Sequence, residues 1–392
     1  MSSSDDRDRQ LREWMAHGPP GAPAELRRQV LDVDRWPRQR RPWFGHWTAP
    51  SAAAWLPAAL ATVLIVALAS QTAPVRDLLA RIGALPPLKT VTVAEALGAD
   101  LGFEGAAALT SAFGDLWVAT EDGALRHLDS ETGALKKTIG LPGRACGPLV
   151  EGHGALWIPL CIGDGPRGLT GTLIRITPDG QWVEVAIPGT ASLGPEIAFD
   201  AAGVWIVADG PSGRLVHLGT DGATPLGEVR LGVEARNLLL AAGSLWVSGG
   251  RDEVLRIDPG SGAVQATVQT GPGADSLVEA DGAIWVANRR GGSVTRIDPI
   301  SLDTVELTVD RGPMQLLADG GRLWVLTAET VDLIDVRRQA VVSRVAVGGH
   351  VTTDCCGDPT ALTTYSIARH GDDLWFAAPA HLYRLEVDAI AP

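Results

Sequence analysis

Residues 282–299 read GAIWVANRRGGSVTRIDP. Two short runs rich in β-branched residues flank a Gly-Gly pair, which reads as two strands joined by a glycine turn. The opening phrase, a glycine followed closely by Trp and further apolar residues, recurs along the chain. It stands as GDLWVA at Trp117, GALWIP at Trp157, GVWIVA at Trp205, GSLWVS at Trp246, GAIWVA at Trp285, GRLWVL at Trp324 and GDDLWFA at Trp375. Successive tryptophans lie 40, 48, 41, 39, 39 and 51 residues apart. A period near 40 residues built from short strands is the signature of a propeller blade. The sequence predicts an all-β fold, a seven-bladed β-propeller over residues 89–390.

Each unit predicts four strands. In the unit containing Trp285 they are SLVEA, AIWVAN, SVTRID and DTVELTV, separated by Asp-Gly, Gly-Gly and Asp-Pro turns. The second strand is apolar without alternation, as expected where neighbouring sheets cover both faces. The fourth alternates, so one of its faces is wet. The turn before the fourth strand also recurs, as RIDPGSG at 256–262, RIDPIS at 296–301, RITPDG at 175–180 and HLDSETG at 127–133. It reads as structural punctuation, with Asp and Pro at the first two positions of a type I turn. The last unit stops after LYRLEV, residues 382–387, its third strand. A spare strand, KTVTV at 89–93, is expected to supply the missing outermost strand of that last blade and clasp the ring.

Residues 51–70, SAAAWLPAALATVLIVALAS, carry no charge, and the uncharged run continues to Val75. About 20 apolar residues at ~1.5 Å rise span the hydrocarbon core of a bilayer. Arg35, Arg38, Arg40 and Arg41 precede the segment, and Arg76 and Arg81 follow it more sparsely. The positive-inside rule then puts the N-terminus in the cytoplasm and the propeller outside the cell membrane. The expected order is a cytoplasmic tail, partly helical or disordered, at 1–50, a signal-anchor helix at 51–71, a linker at 72–88 and the propeller. The helix makes the lipid bilayer a partner. ALA at 67–69 leaves a cleaved leader open, and a buried soluble helix is the third reading. The tail contains one amphipathic helical pattern with Leu11, Trp14 and Met15 on one face. It is a solvated tail that orients the anchor, or a docking segment for a cytoplasmic partner.

Net charge is −13, and the first 50 residues carry nine Arg against seven Asp or Glu, so the remainder is strongly acidic. Such a domain is not expected to bind nucleic acid, which needs clustered cations. Four Cys occur. Cys146 and Cys161 bracket a hairpin whose turn would centre on His153 and Gly154, which places them opposite one another at disulfide spacing. Cys355 and Cys356 are adjacent; a strained vicinal disulfide, free thiols and a longer bridge all remain open. Arg251, Asn288, Arg289 and Arg290 follow equivalent second strands of adjacent units. They form either a shared anion or protein-binding site or solvated hairpin tips. His127, His153, His217, His350, His370 and His381 are scattered over the blades and read as turn or surface residues. No metal ligand set and no nucleophile motif stands in the sequence.

The repeated GxLWV and RIDP phrases resemble the seven-bladed propellers of the YncE-like and virginiamycin B lyase-like (streptogramin lyase) group. TLIRITPDGQWVEVAIPG at 172–189 looks like that lyase family's blade phrase, and CGPLVEGHGALWIPLC at 146–161 is similar to a Cys-bracketed hairpin of bacterial members. The resemblance implies the fold and, for a lyase, a Mg²⁺ site with acidic ligands and a histidine base on the central face. In this chain no carboxylate follows a repeat Trp as in the lyase phrase, and only two Asn occur, Asn237 and Asn288. The expectation is a membrane-anchored extracytoplasmic propeller that binds or senses an unknown ligand or protein, without catalysis and without a cofactor. A Mg-dependent lyase or lactonase is the alternative.

Overall fold

The computed structural model describes residues 88–92, 97–100, 105–145, 147–162, 170–187, 196–209, 212–249, 251–327, 329–347, 366–378 and 381–391. The expected tail and anchor, at 1–50 and 51–71, the linker except Leu88, and Cys146, Cys355 and Cys356 lie outside these residues. Among the described residues no helix is long and apolar enough to cross a membrane.

Seven antiparallel sheets follow one another along the chain. The blade containing Trp285 is typical. Its strands run Ala274–Ala280, Ala283–Asn288, Ser293–Ile297 and Thr304–Thr308, paired in sequence order. The second strand is buried at every position, and on the fourth only Leu307 is buried. The contrast follows from position: inner strands are covered on both faces by neighbouring sheets, while the outer strand is a wet edge.

The core is divided into seven apolar clusters, one at each junction between blades. Each repeat tryptophan sits in the cluster shared with the next blade. Trp117 packs against Leu156 and Ile158 of the second blade, and Trp375 of the seventh packs against Leu116 and Val118 of the first. The ring therefore closes through the same contact that propagates it. Trp117, Trp157, Trp246 and Trp285 each donate their indole N–H to the carbonyl five residues earlier, at 2.9–3.2 Å. That carbonyl belongs to the hairpin between the first two strands, so the ring is satisfied within its own turn.

The recurrent turn does more than the sequence reading assigned to it. Its first residue lies directly across the ladder from the tryptophan: Trp117 faces His127, Trp157 faces Arg175, Trp205 faces His217 and Trp246 faces Arg256. The two histidines stack on their indoles at 4.2 Å between ring centres, and the two guanidinium groups lie over theirs at 5.6–5.8 Å. Arg256 also donates to the Pro299 carbonyl of the next blade's turn at 2.8 Å, and Arg384 donates likewise to Glu131 across the closure at 2.8 Å. The Asp of the turn accepts backbone N–H bonds, as Asp258 does from Ser261 and Asp298 from Ile300 and Ser301.

Ring closure corrects one expectation. The outermost strand of the seventh blade is Leu97–Asp100, antiparallel to His381–Glu386. Lys89–Thr92 instead runs parallel to Ala340–Ala346 and adds a fifth strand to the sixth blade. Val91 is buried there, and the Ser343 hydroxyl donates to the Lys89 carbonyl at 3.1 Å. The edge strand it covers carries Arg344, which pairs with the buried Asp332 at 2.6 Å.

The second blade also departs from its expected register. Val150–Gly152 pairs with the strand Ala155–Ile162 about the His153–Gly154 turn, as expected. Beyond Pro148 the ladder slips by two residues, so that Arg144 is the direct partner of Cys161, the place expected of Cys146. Proline lacks the donor that a regular ladder needs at that point.

The turn glycine Gly222, at φ +76°, approaches the tryptophan of the preceding blade so closely that a Cβ would lie 2.9 Å from the Trp157 ring. Gly114, at φ +83°, has open space beside it. Gly114→Ala is expected to cost about 1 kcal/mol for the left-handed backbone alone. Gly222→Ala is expected to cost about 1–3 kcal/mol more, because it overpacks a blade junction. Guanidinium unfolding midpoints of the two variants check the difference; equal losses would show that the junction yields freely.

Candidate functional site

The inner strands of the blades surround a central cavity of about 650 Å³, lined by residues from all seven blades. Leu109, Leu149, Ile197, Leu238, Leu277 and Ile367 form the apolar part of its wall, and Glu121, Arg144, Glu196 and Arg369 line it as well. The inner edge of each first strand also presents backbone donors and acceptors toward the centre. On several blades a side chain from the preceding blade satisfies them. Ser276 accepts from the Leu316 N–H at 3.2 Å, and Ser366 accepts from Leu109 at 3.4 Å. Gln315 both accepts from the Ile367 N–H at 3.0 Å and donates to its carbonyl at 3.2 Å. These polar residues are staples of the ring.

One end of the cavity is different. Where the first strands of the third, fourth and fifth blades begin, Glu196, Asn237 and Asp275 come together. Asn237 donates to Asp275 Oδ1 at 2.5 Å, and the Ser248 hydroxyl donates to the Asp275 carbonyl at 2.6 Å. Arg289 stands 3.8 Å from the same carboxylate. Glu196 lines the cavity, and among the described residues it has no hydrogen-bond or ion-pair partner. Burial, together with the negative charge of Asp275, pushes its carboxyl up to about 7. Burial likewise raises Asp275, with Asn237, Arg289 and Arg236 acting the other way. A carboxyl that titrates near neutrality in a cavity can bind a cation when charged or hand on a proton when neutral.

At the other end the Ser111 hydroxyl and His370 Nδ1 are 2.7 Å apart, joining the first and seventh blades. Arg369 pairs with Asp319 there at 2.9 Å. Among the described residues no three His, Cys, Asp or Glu side chains converge as a metal ligand set. Glu196 and Asp275 supply only two carboxylates, so the described residues do not fit the Mg²⁺ centre that the sequence resemblance implies.

The four residues singled out from the sequence occupy the junction of the fourth and fifth blades. The Arg251 carbonyl accepts from Ala274 at 2.6 Å, and Arg290 pairs with Asp252 at 3.2 Å. Arg289 reaches Asp275 as described. Asn288 is fully buried and donates to Ser293 and Thr295 at 2.9 and 2.8 Å, which makes it part of the blade's interior network. Of the three arginines, Arg289 and Arg290 pair with carboxylates, and only Arg289 touches the cavity-end cluster. Glu196 was not picked out from the sequence. Its one signal is a carboxylate immediately before an inner strand, a place where no other unit has an acidic residue.

A scan against family models and a search of curated proteins gave no match. The architecture is similar to that of known structures. The streptogramin B lyase structure has a TM-score of 0.57 at 16% identity, covering 73% of this chain and 94% of that one. The selenomethionine-substituted virginiamycin B lyase from Staphylococcus aureus has a TM-score of 0.59 at 16% identity, covering 74% and 98%. The Pan2 WD40 domain of Neurospora crassa has a TM-score of 0.54 at 10% identity, covering 72% and 89%.

The raised carboxyl yields a pH prediction. A group whose folded value lies above its unfolded value, about 4.3 for Glu, stabilises the fold fully at low pH and loses that contribution as pH rises through the folded value. Wild type is therefore expected to lose stability relative to Glu196→Gln between pH 5 and pH 8, by at most about 3 kcal/mol. Parallel denaturant titrations at the two pH values check it; a constant difference would show that Glu196 is ordinarily solvated. At the level of the fold, the chain is a seven-bladed propeller of the kind that the streptogramin B lyases share.

Proposed function

We propose that the chain is a membrane-tethered, extracytoplasmic propeller whose central cavity binds a largely apolar ligand, as a binding or sensing module without chemistry of its own. The observation that carries this reading is the cavity: about 650 Å³, with a wall of leucine, isoleucine and valine interrupted by Thr110, Glu121, Arg144, Glu196 and Arg369 as well as the structural staples. Small-molecule sites have this composition and size. The uncharged run at 51–71, flanked by arginines on its N-terminal side, supports the tether. The alternative, a Mg-dependent lyase or lactonase, has the fold likeness to virginiamycin B lyase in its favour. It would need a third carboxylate and a histidine base beside Glu196 and Asp275.

Leu239 and Leu317 line the cavity and are only partly buried. Replacing both with Trp is expected to fill it and weaken binding of an apolar fluorophore at least about tenfold, which corresponds to about 1.4 kcal/mol. The thermal midpoint should change little. Fluorescence titration of the full chain in nanodiscs checks this. Unchanged affinity would remove the cavity as the site. Turnover of a cyclic ester by a chain that holds no apolar probe would favour the lyase.

A further inference from the structure

We propose that the molecule bound in the cavity is an organic amine, seated with its protonated nitrogen at Glu196 and its apolar body against the leucine-lined wall. The inference rests on the cavity-binding reading and gives it a ligand class. The argument begins with charge. The cations around the cavity mostly have carboxylates of their own. Arg236 pairs with Glu234 at 2.7 Å, Arg289 with Asp275 at 3.8 Å, and Arg369 with Asp319 at 2.9 Å. Arg144 and Glu121 also line the cavity, and neither makes an ion pair or hydrogen bond with Glu196. Asp275 spends one oxygen on Asn237. Glu196 and Glu121 both line the cavity with no side-chain partner among the described residues, but Glu121 is exposed, whereas Glu196 stands beside a second carboxylate, Asp275.

An uncompensated carboxylate beside an apolar wall is costly, and a cation that replaces the lost water removes that cost. The charge bias at this end therefore selects against anionic ligands and in favour of cationic ones. A Ca²⁺ ion, which takes six to eight oxygen ligands, is a poor fit, because among the described residues no three carboxylate, imidazole or thiol groups converge here. The apolar wall supplies nothing to a hydrated ion, but it matches the carbon skeleton of an amine. The raised carboxyl is consistent with this, since a bound ammonium group would draw it back into its charged form.

The test uses three probes of one shape: adamantylmethylamine, adamantylmethanol and adamantane-1-carboxylate. Each is titrated calorimetrically into the full chain in nanodiscs at pH 8, with empty nanodiscs as the blank. The amine is expected to bind at least about tenfold more tightly than the alcohol, and the carboxylate most weakly. Glu196→Gln should abolish the difference between amine and alcohol while leaving alcohol binding within about threefold. Equal binding of amine and alcohol by wild type would overturn the amine inference and leave the cavity reading standing. Retention of the preference in Glu196→Gln would overturn the seat at Glu196. Failure of all three probes to bind would overturn the cavity reading, and the amine with it.

Discussion

Each junction between blades is organised by a buried tryptophan, and the ring depends on that contact. An indole removes roughly 200 Å² of surface from water, about 5 kcal/mol at ~25 cal/mol per Å². Seven such residues, all packed toward the following blade, supply one repeated adhesive step. A single four-stranded sheet of this chain has two apolar faces and cannot exist alone in water. Each face is satisfied only by the next sheet, so the stack must continue until the first sheet meets the last. Closure by the Trp375 cluster adds no new kind of interaction; it reuses the one present at every other junction.

Polar bonds then fix the register of what the apolar contacts bring together. Where four indoles donate to a carbonyl five residues back, Trp205 donates to the Asp200 carboxylate, which also holds His217 at 3.2 Å. Trp324 and Trp375 have no such partner among the described residues. Burial of the ring is common to all seven blades and the indole bond is not, so burial is the requirement and the bond a refinement. The same holds for the cross-strand partner of the indole. Histidine stacks in two blades and arginine lies over the ring in two others. The sixth blade uses Leu333 at the equivalent place. A flat imidazole or guanidinium group, or an aliphatic one, can cover the face of the ring, provided that something does.

These details explain how much could be read in advance. The number of blades, their strand order and the buried second strand follow from the spacing of Trp and Gly, because those residues answer local demands. The ring covers both faces of the second strand, and its hairpins need positive φ at residues such as Gly114 and Gly282. The partner of the RIDP arginine was missed, because the bond that gives it meaning, Arg256 to Pro299, crosses between units. The placement of Lys89–Thr92 was missed for a related reason. Two spare strands precede the first unit, and residue type does not decide which pairs with the sixth blade and which with the seventh. Asn288 looked like a surface residue because Arg289, Arg290 and two glycines follow it. Its amide is enclosed because Asn288 ends the second strand, which is buried at every position.

The site was the least legible part, and the reason lies in propeller geometry. Side chains of the inner strands point mainly at neighbouring blades, so the channel is lined by strand edges and by whatever side chains bend toward them. Ser276, Gln315 and Ser366 bend in to cap the backbone of the next blade. A polar residue near the axis is thus by default part of the ring's hydrogen bonding, and its presence in the sequence says little about ligands. Glu196 is separated from this group by what it lacks. It caps no described N–H, carries no described counter-ion, and stands beside a carboxylate already engaged by Asn237. A fold selected only to close on itself would gain from an apolar residue there, because a buried charge without a partner is destabilising. A bound molecule of opposite charge, as proposed for the cavity, would remove that cost.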